Sequence, residues 1–270
     1  CHILQIQGAV SLIDIHSHIL PGVDDGAKTE EDSIAMAKAA VEQGISTIIA
    51  TPHHRNRMFD NYKEEIVTNV AILNDLLKER NIPLTVVPGQ EVRIYGEILE
   101  DFKKGEIQTL YQSKYILIEF PTGEVPQYAE KLLYDLQVAG LFPVIAHPER
   151  NQELLENPDR MYELIRNGAL SQITAASLVG KFGKEIEQFS HQLIESNLTH
   201  FIASDAHNTS TRGFLLKEAY DLVKDVYGVE TYYMFMENSQ LLLDDLNVNR
   251  FEPQRIKPRR KGFFSFLRKK

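Results

Sequence analysis

Seven short apolar runs rich in β-branched residues recur along this chain with amphipathic stretches between them, and this alternation restricts the fold more than any other feature. The runs cover residues 12–15, 47–50, 84–88, 115–119, 142–146, 169–174 and 200–204. Between the second and third, Ile66, Val70, Leu73 and Leu77 repeat at helical spacing and share one face. Gly44, Gly140, Gly168 and Gly228 stand where helices should stop, because glycine enters the left-handed conformation of a helix C-terminus without steric cost. Thr29, three residues before Asp32, gives the first helix a capping box. Strands that alternate with helices pair in parallel, since each crossover returns the chain to the same end of the sheet.

Two architectures hold seven such units, an open doubly wound sheet and a closed (β/α)7 barrel. An open sheet gathers its functional side chains at one switch point. Here nearly every run is followed by His, Asp or Glu, as loops converging on the mouth of an α/β barrel would place them. A hydrophobic fraction of 43% over 270 residues suits one core, so residues 12–250 are read as a single domain. Residues 1–11 lack a clear period and are read as an appended or disordered lead-in, and 251–270 as a basic, aromatic tail.

No run of about 18 apolar residues occurs and no charged-then-apolar leader, so a cytoplasmic protein is expected. The one cysteine is Cys1, which rules out a disulfide within the chain and leaves cysteine chemistry no place in its interior. The formal charge is -9, yet eight Lys or Arg and no acid lie from Pro253 onward, so the body before it carries about −17. So acidic a body repels an anionic substrate unless bound cations reverse the local field, and it argues against nucleic-acid binding.

The residues after the runs suit such cations. His16 and His18 close the first run and, in an extended chain, point to one side within reach of one ion. A lone strand-end histidine is more often held in a turn, but a pair at this spacing favours chelation. Asp25, in Asp24-Asp25-Gly26, reads equally as a ligand and as part of an Asp-Gly turn. His53 follows the second run in Ala50-Thr51-Pro52-His53-His54, and Glu91 follows the third in Gly89-Gln90-Glu91. Glu119 lies inside an apolar run, where an unpaired charge is costly; it needs a metal ion or, as the alternative, an internal Arg or Lys. His147 follows the fifth run, and Asp205 and His207 follow the seventh. These nine candidate ligands suffice for two or three ions, with carboxylates bridging and water completing the shells. Arg150 and Arg212 follow His147 and His207 by three and five residues, near enough to hold an anion over the ions. A guanidinium fork suits phosphate, although a structural ion pair is the commoner role of an arginine. Glu149 is left to ion pairing or capping.

In order and spacing these segments resemble the PHP-domain phosphoesterases, specifically the bacterial tyrosine-protein phosphatases of capsule and exopolysaccharide operons, across residues 13–246. The most specific matches are Asp14-Ile15-His16-Ser17-His18 with Asp24-Asp25-Gly26, Ala50-Thr51-Pro52-His53-His54, Gly89-Gln90-Glu91, Leu117-Ile118-Glu119-Phe120, Ala146-His147-Pro148-Glu149-Arg150 and Ser204-Asp205-Ala206-His207-Asn208. The resemblance implies a PHP-type (β/α)7 barrel with three divalent ions, manganese first, with iron, zinc or magnesium as alternatives. It implies that His16, His18, Glu91 and Asp205 hold one ion. Glu91 would bridge to a second, bound by Glu119 and His147, and Asp25, His53 and His207 would bind the third. Arg150 and Arg212 match positions that hold the substrate phosphate. Water activated by the ions would then attack phosphorus without a covalent enzyme intermediate. The implied partner is a phosphotyrosine protein, a membrane-associated bacterial tyrosine kinase controlling polysaccharide export, which would place the enzyme at the inner face of the membrane.

Two other functions compete. One keeps the site and changes the substrate to a small phosphomonoester such as histidinol phosphate. The other is a non-catalytic scaffold in which the metals are structural. The tail from Arg259 to Lys270 interleaves cations with aromatics, which suits weak contact with an anionic membrane as well as a disordered solubilising end.

Overall fold

The computed structural model describes residues 11–257. The lead-in before Ser11 and the tail beyond residue 257 lie outside the described residues, and 251–257 run without helix or strand. The strands are β1 (Leu12–Ser17), β2 (Ile45–Ala50), β3 (His53–His54), β4 (Thr85–Pro88), β5 (Glu91–Arg93), β6 (Tyr115–Glu119), β7 (Phe142–Ala146), β8 (Leu170–Thr174) and β9 (Phe201–Ala203). The helices are α1 (Glu30–Glu42), α2 (Lys63–Glu79), α3 (Ile98–Lys104), α4 (Ala129–Val138), α5 (Gln152–Glu156), α6 (Pro158–Arg166), α7 (Ala175–Leu178), α8 (Lys184–Glu195) and α9 (Leu216–Leu243).

All seven apolar runs form strands, and every strand pairing is parallel. One sheet has the order β1-β2-β4 and the other β3-β5-β6-β7-β8-β9. The apolar pattern does not mark β3 and β5, because these are the polar continuations of β2 and β4. Pro52 has no N–H to donate, so β2 stops before it. The contact between the two segments continues nonetheless, with Gly89 N donating to Ala50 O at 2.8 Å and Glu91 N to Pro52 O at 3.1 Å. Pairing then resumes with His53 opposite Glu91. At the other edge, Ser17 of β1 forms a parallel bridge to Ala206, just beyond β9.

Alternate strand residues face two different interiors. Ile15, Ile49, Leu117, Val144, Leu170 and Phe201 belong to one buried cluster. Their neighbours Ile48, Ile116, Ile118, Ile145, Ile173 and Ile202 pack with the helices in another. Burial on both faces explains why the runs are continuously apolar instead of alternating with polar residues.

The punctuation behaves as expected at the helix ends. Gly44, Gly140 and Gly168 have φ of 81°, 85° and 100° just past α1, α4 and α6. Gly228 (φ 86°, ψ 173°) interrupts α9 in mid-length and divides it into two helical arms. At the start of α1 the Thr29 hydroxyl accepts from Asp32 N, and the Asp32 carboxylate accepts from Thr29 N. No helix among the described residues is long and apolar enough to cross a membrane.

Candidate metal centre

The strand ends carry their polar groups to one place. His16 lies within β1, beyond a register shift between Asp14 and Ser17. Asp14, fully buried, accepts from Ser204 N and from the Ser204 hydroxyl, which ties β1 to the end of β9. The Nε2 atoms of His16 and His18 are 3.2 Å apart. On their far sides, His16 Nδ1 is 2.9 Å from the Gln172 side-chain oxygen of β8, and His18 Nδ1 is 2.6 Å from Asp24 Oδ2. Both partners are acceptors, so each ring in its neutral form carries its proton on Nδ1 and turns an Nε2 lone pair inward. Two lone pairs that face each other at this distance call for a cation between them.

Gly26 makes this approach feasible. A Cβ there would lie 2.0 Å from His18 O, so only glycine lets the Asp24–Asp25 loop close on the histidine. Asp24 makes the local turn, with Oδ1 accepting from Gly26 N at 2.9 Å. Asp25 is left free of that duty, and its Oδ1 lies 3.4 Å from His53 Nε2 and 3.2 Å from His207 Nε2.

Glu91 is central and fully buried. Its Oε2 lies 3.4 Å from both His16 Nε2 and His18 Nε2 and 2.8 Å from His53 Nδ1, while its Oε1 pairs with His147 Nε2 at 2.8 Å. Asp205 Oδ1 stands 3.4 Å and 3.3 Å from the same two Nε2 atoms. Glu119 Oε2 is 3.8 Å from His53 Nδ1. Three groups of donors thus converge: His16, His18 and Glu91; His53, Glu91 and Glu119; and His18, Asp25, His53 and His207. His53 Nδ1, Glu91 Oε2, Asp205 Oδ1 and His207 Nε2 are buried without a hydrogen-bond partner. Buried polar atoms are ordinarily paired, so four such atoms aimed into one small space fit bound cations.

The electrostatics point the same way. Burial, and then the Glu91 charge, push Glu119 up to about 7. Burial works against ionisation of Glu91 as well, but the charges of His16 and His53 outweigh it and hold Glu91 well below the usual carboxylate range. Burial opposes a proton on His53, yet the facing Glu91 raises that imidazole to about 10. The carboxylates therefore demand positive charge, which protonated histidines or divalent ions can supply.

Both predicted arginines reach this centre. Arg150 Nη2 is 2.7 Å and Arg212 Nη2 3.0 Å from Asp205 Oδ2. They line a cleft of about 730 Å³ together with Asp25, His53, Glu119, His147 and Asp205. His147 and Asp205 have φ of 34° and 52°, a conformation costly for residues other than glycine and one that recurs where side chains are held for function.

The structure brings together all nine candidate ligands and both arginines. Glu119 also has the internal partner weighed above, since Arg93 Nη2 lies 3.1 Å from its Oε2 and the two residues are register neighbours on β5 and β6. Glu149 is a buried cap: its Oε1 accepts from Thr174 N and the Ser177 hydroxyl at the start of α7. Sequence reasoning missed Asp24 and Gln172. The first was hidden beside Asp25; the second could have been noticed as an amide inside a buried strand.

The capsular polysaccharide synthesis family CpsB/CapC matches residues 12–244. The chain is 53% identical over 254 residues to the tyrosine-protein phosphatase YwqE of Bacillus subtilis (strain 168), covering 94% of this chain and 100% of that protein. It is 34% identical over 240 residues to the tyrosine-protein phosphatase CpsB of Streptococcus pneumoniae, covering 87% and 99%. A chain from the crystal structures of YwqE from Bacillus subtilis and CpsB from Streptococcus pneumoniae, described as metal-dependent tyrosine phosphatases, superposes with a TM-score of 0.90 at 53% identity. That match covers 92% of this chain and 100% of that one.

Proposed function

The chain belongs to the capsular polysaccharide synthesis family CpsB/CapC, and from that membership we propose that it is a metal-dependent tyrosine-protein phosphatase acting through the centre described above. The observation that carries the reading is the convergence of buried, unpaired His, Asp and Glu atoms beneath two arginines. A phosphoryl group is the anion that such an arrangement recognises. We take the ion set to be three, manganese first. His16, His18, Glu91 and Asp205 hold one, Glu91, Glu119 and His147 the second, and Asp25, His53 and His207 the third.

Divalent ions bound there supply the Lewis acidity that makes water nucleophilic near neutral pH and that offsets charge on the phosphoryl oxygens. The chain's own residues orient the reaction. Asp24 and Gln172 fix the His18 and His16 rings with Nε2 inward. Arg150 and Arg212, held side by side by Asp205, present their remaining N–H groups to the phosphoryl oxygens. Cysteine plays no part, the only one being Cys1.

The two sheets are read as the halves of a (β/α)7 barrel, in which β2 with β3 and β4 with β5 each count as one stave. The hydrogen bonds from Gly89 and Glu91 and the Ser17–Ala206 bridge support that closure. The substrate is taken to be phosphotyrosine on a membrane-associated kinase of the capsule machinery, so the protein works in the cytoplasm at the inner face of the membrane. Turnover of a phosphotyrosine peptide measured beside histidinol phosphate tests the substrate class. The peptide should be much the better substrate, and preference for histidinol phosphate would transfer the site to small phosphomonoesters.

A further inference from the structure

The metal ligands and arginines account for recognition of phosphate but not of the group that carries it. The lining of the cleft is informative here. Among its apolar side chains Phe120, Ala146 and Pro148 are buried and Met58 is exposed at the rim, whereas Phe182 and Ile186 are half-buried. Phe182 lies between α7 and α8, flanked by Gly180 and Gly183 with φ of 79° and 96°. Two left-handed glycines within four residues make a tight turn that larger side chains would strain, and the turn sets Phe182 against the cleft. Ile186, in the first turn of α8, lines the same cleft. The Arg150 guanidinium lies over the Phe182 ring, 5.6 Å from its centre, and its Nη2 reaches Asp205. One cation thus touches both the candidate ligand Asp205 and the aromatic face.

We propose that Phe182, backed by Ile186, is the specificity wall of this site, receiving the aromatic ring of the substrate while Arg150 holds the phosphoryl group beside it. The proposal rests on reading the centre as a phosphotyrosine phosphatase and adds the residues that distinguish an aryl phosphate from an alkyl one. A half-exposed phenyl ring beside the ionic floor of the cleft is withdrawn from water only when a flat apolar group covers it. An aryl phosphate provides such a group one ester bond away from the anion that Arg150 binds. An alkyl phosphate leaves the ring wet.

The experiment uses the metal-loaded full chain. KM and kcat are measured on a phosphotyrosine peptide, and Ki for inorganic phosphate, in the wild type, Phe182→Ala and Phe182→Tyr, with metal content checked in each. Phe182→Ala should raise KM for the peptide about 3- to 10-fold while Ki for phosphate stays unchanged. Phe182→Tyr should restore KM. An unchanged KM overturns the proposal. So does a rise in KM matched by an equal rise in phosphate Ki, which would reduce Phe182 to a support for Arg150. A wild-type protein that binds metal but turns over no phosphotyrosine peptide overturns the underlying functional reading instead.

Discussion

Asp24 accepts the Nδ1 proton of His18 at 2.6 Å, and both side chains are almost wholly buried. The contact fixes which face of the imidazole is free to bind a cation and strengthens that nitrogen as a donor. Asp24→Asn keeps the shape and removes the charge. Affinity for divalent metal, measured by competition with a chelator, should fall about 10- to 100-fold. An unaltered affinity would separate Asp24 from the metal centre.

Arg212 pairs with the candidate ligand Asp205 but is not itself a candidate, and a third of its side chain is exposed. Arg212→Ala should therefore leave the metal content intact and lower kcat on a phosphotyrosine peptide by about 10²-fold, the loss expected when one donor to a developing oxyanion is removed. Metal analysis alongside the kinetics decides the matter. Full activity would take Arg212 out of the mechanism.

His200 gives the fold a sensitivity to acid that is separate from the site, because it precedes β9 and the ligands follow it. Its Nδ1 accepts from Ser171 N at 3.3 Å, and burial, helped by the Arg250 charge, pushes the imidazole down to about 3. The native state stays neutral there, while an unfolded chain protonates this histidine near 6.5, so the unfolded state binds more protons between those values. The contribution is complete above pH 6.5 and is lost as pH falls through the acid range. Between pH 7 and pH 5 it should amount to about 2 kcal/mol. Urea unfolding of His200→Gln should show correspondingly less destabilisation over that interval than the wild type. Equal losses in the two proteins would deny His200 this role.

What the sequence disclosed follows from which forces are local. Apolar runs buried on both faces, the glycines past α1, α4 and α6 and the Thr29–Asp32 cap depend on near neighbours and are found where expected, whereas Gly228 divides α9 instead of ending it. Most of the nine candidate ligands were legible because they follow an apolar run, and Glu119 because it lies within one. β3 and β5 were not, because His53 and Glu91 pair only through the other strand. Gln172 matters by virtue of a ring 156 positions away in the chain, and Arg93 by virtue of a register in which it lies opposite Glu119. Phe182 has no signature at all until the turn between α7 and α8 sets it beside Arg150.

The central claim is that the orphaned atoms of His53, Glu91, Asp205 and His207, with Glu119 beside them, exist to hold catalytic cations. The direct measurement is elemental analysis of the purified chain joined to phosphotyrosine-peptide turnover before chelation, after it, and after manganese is restored. The account predicts about three divalent ions per chain, loss of turnover when they are removed, and recovery with manganese. Undiminished turnover in protein shown to be free of metal would contradict it.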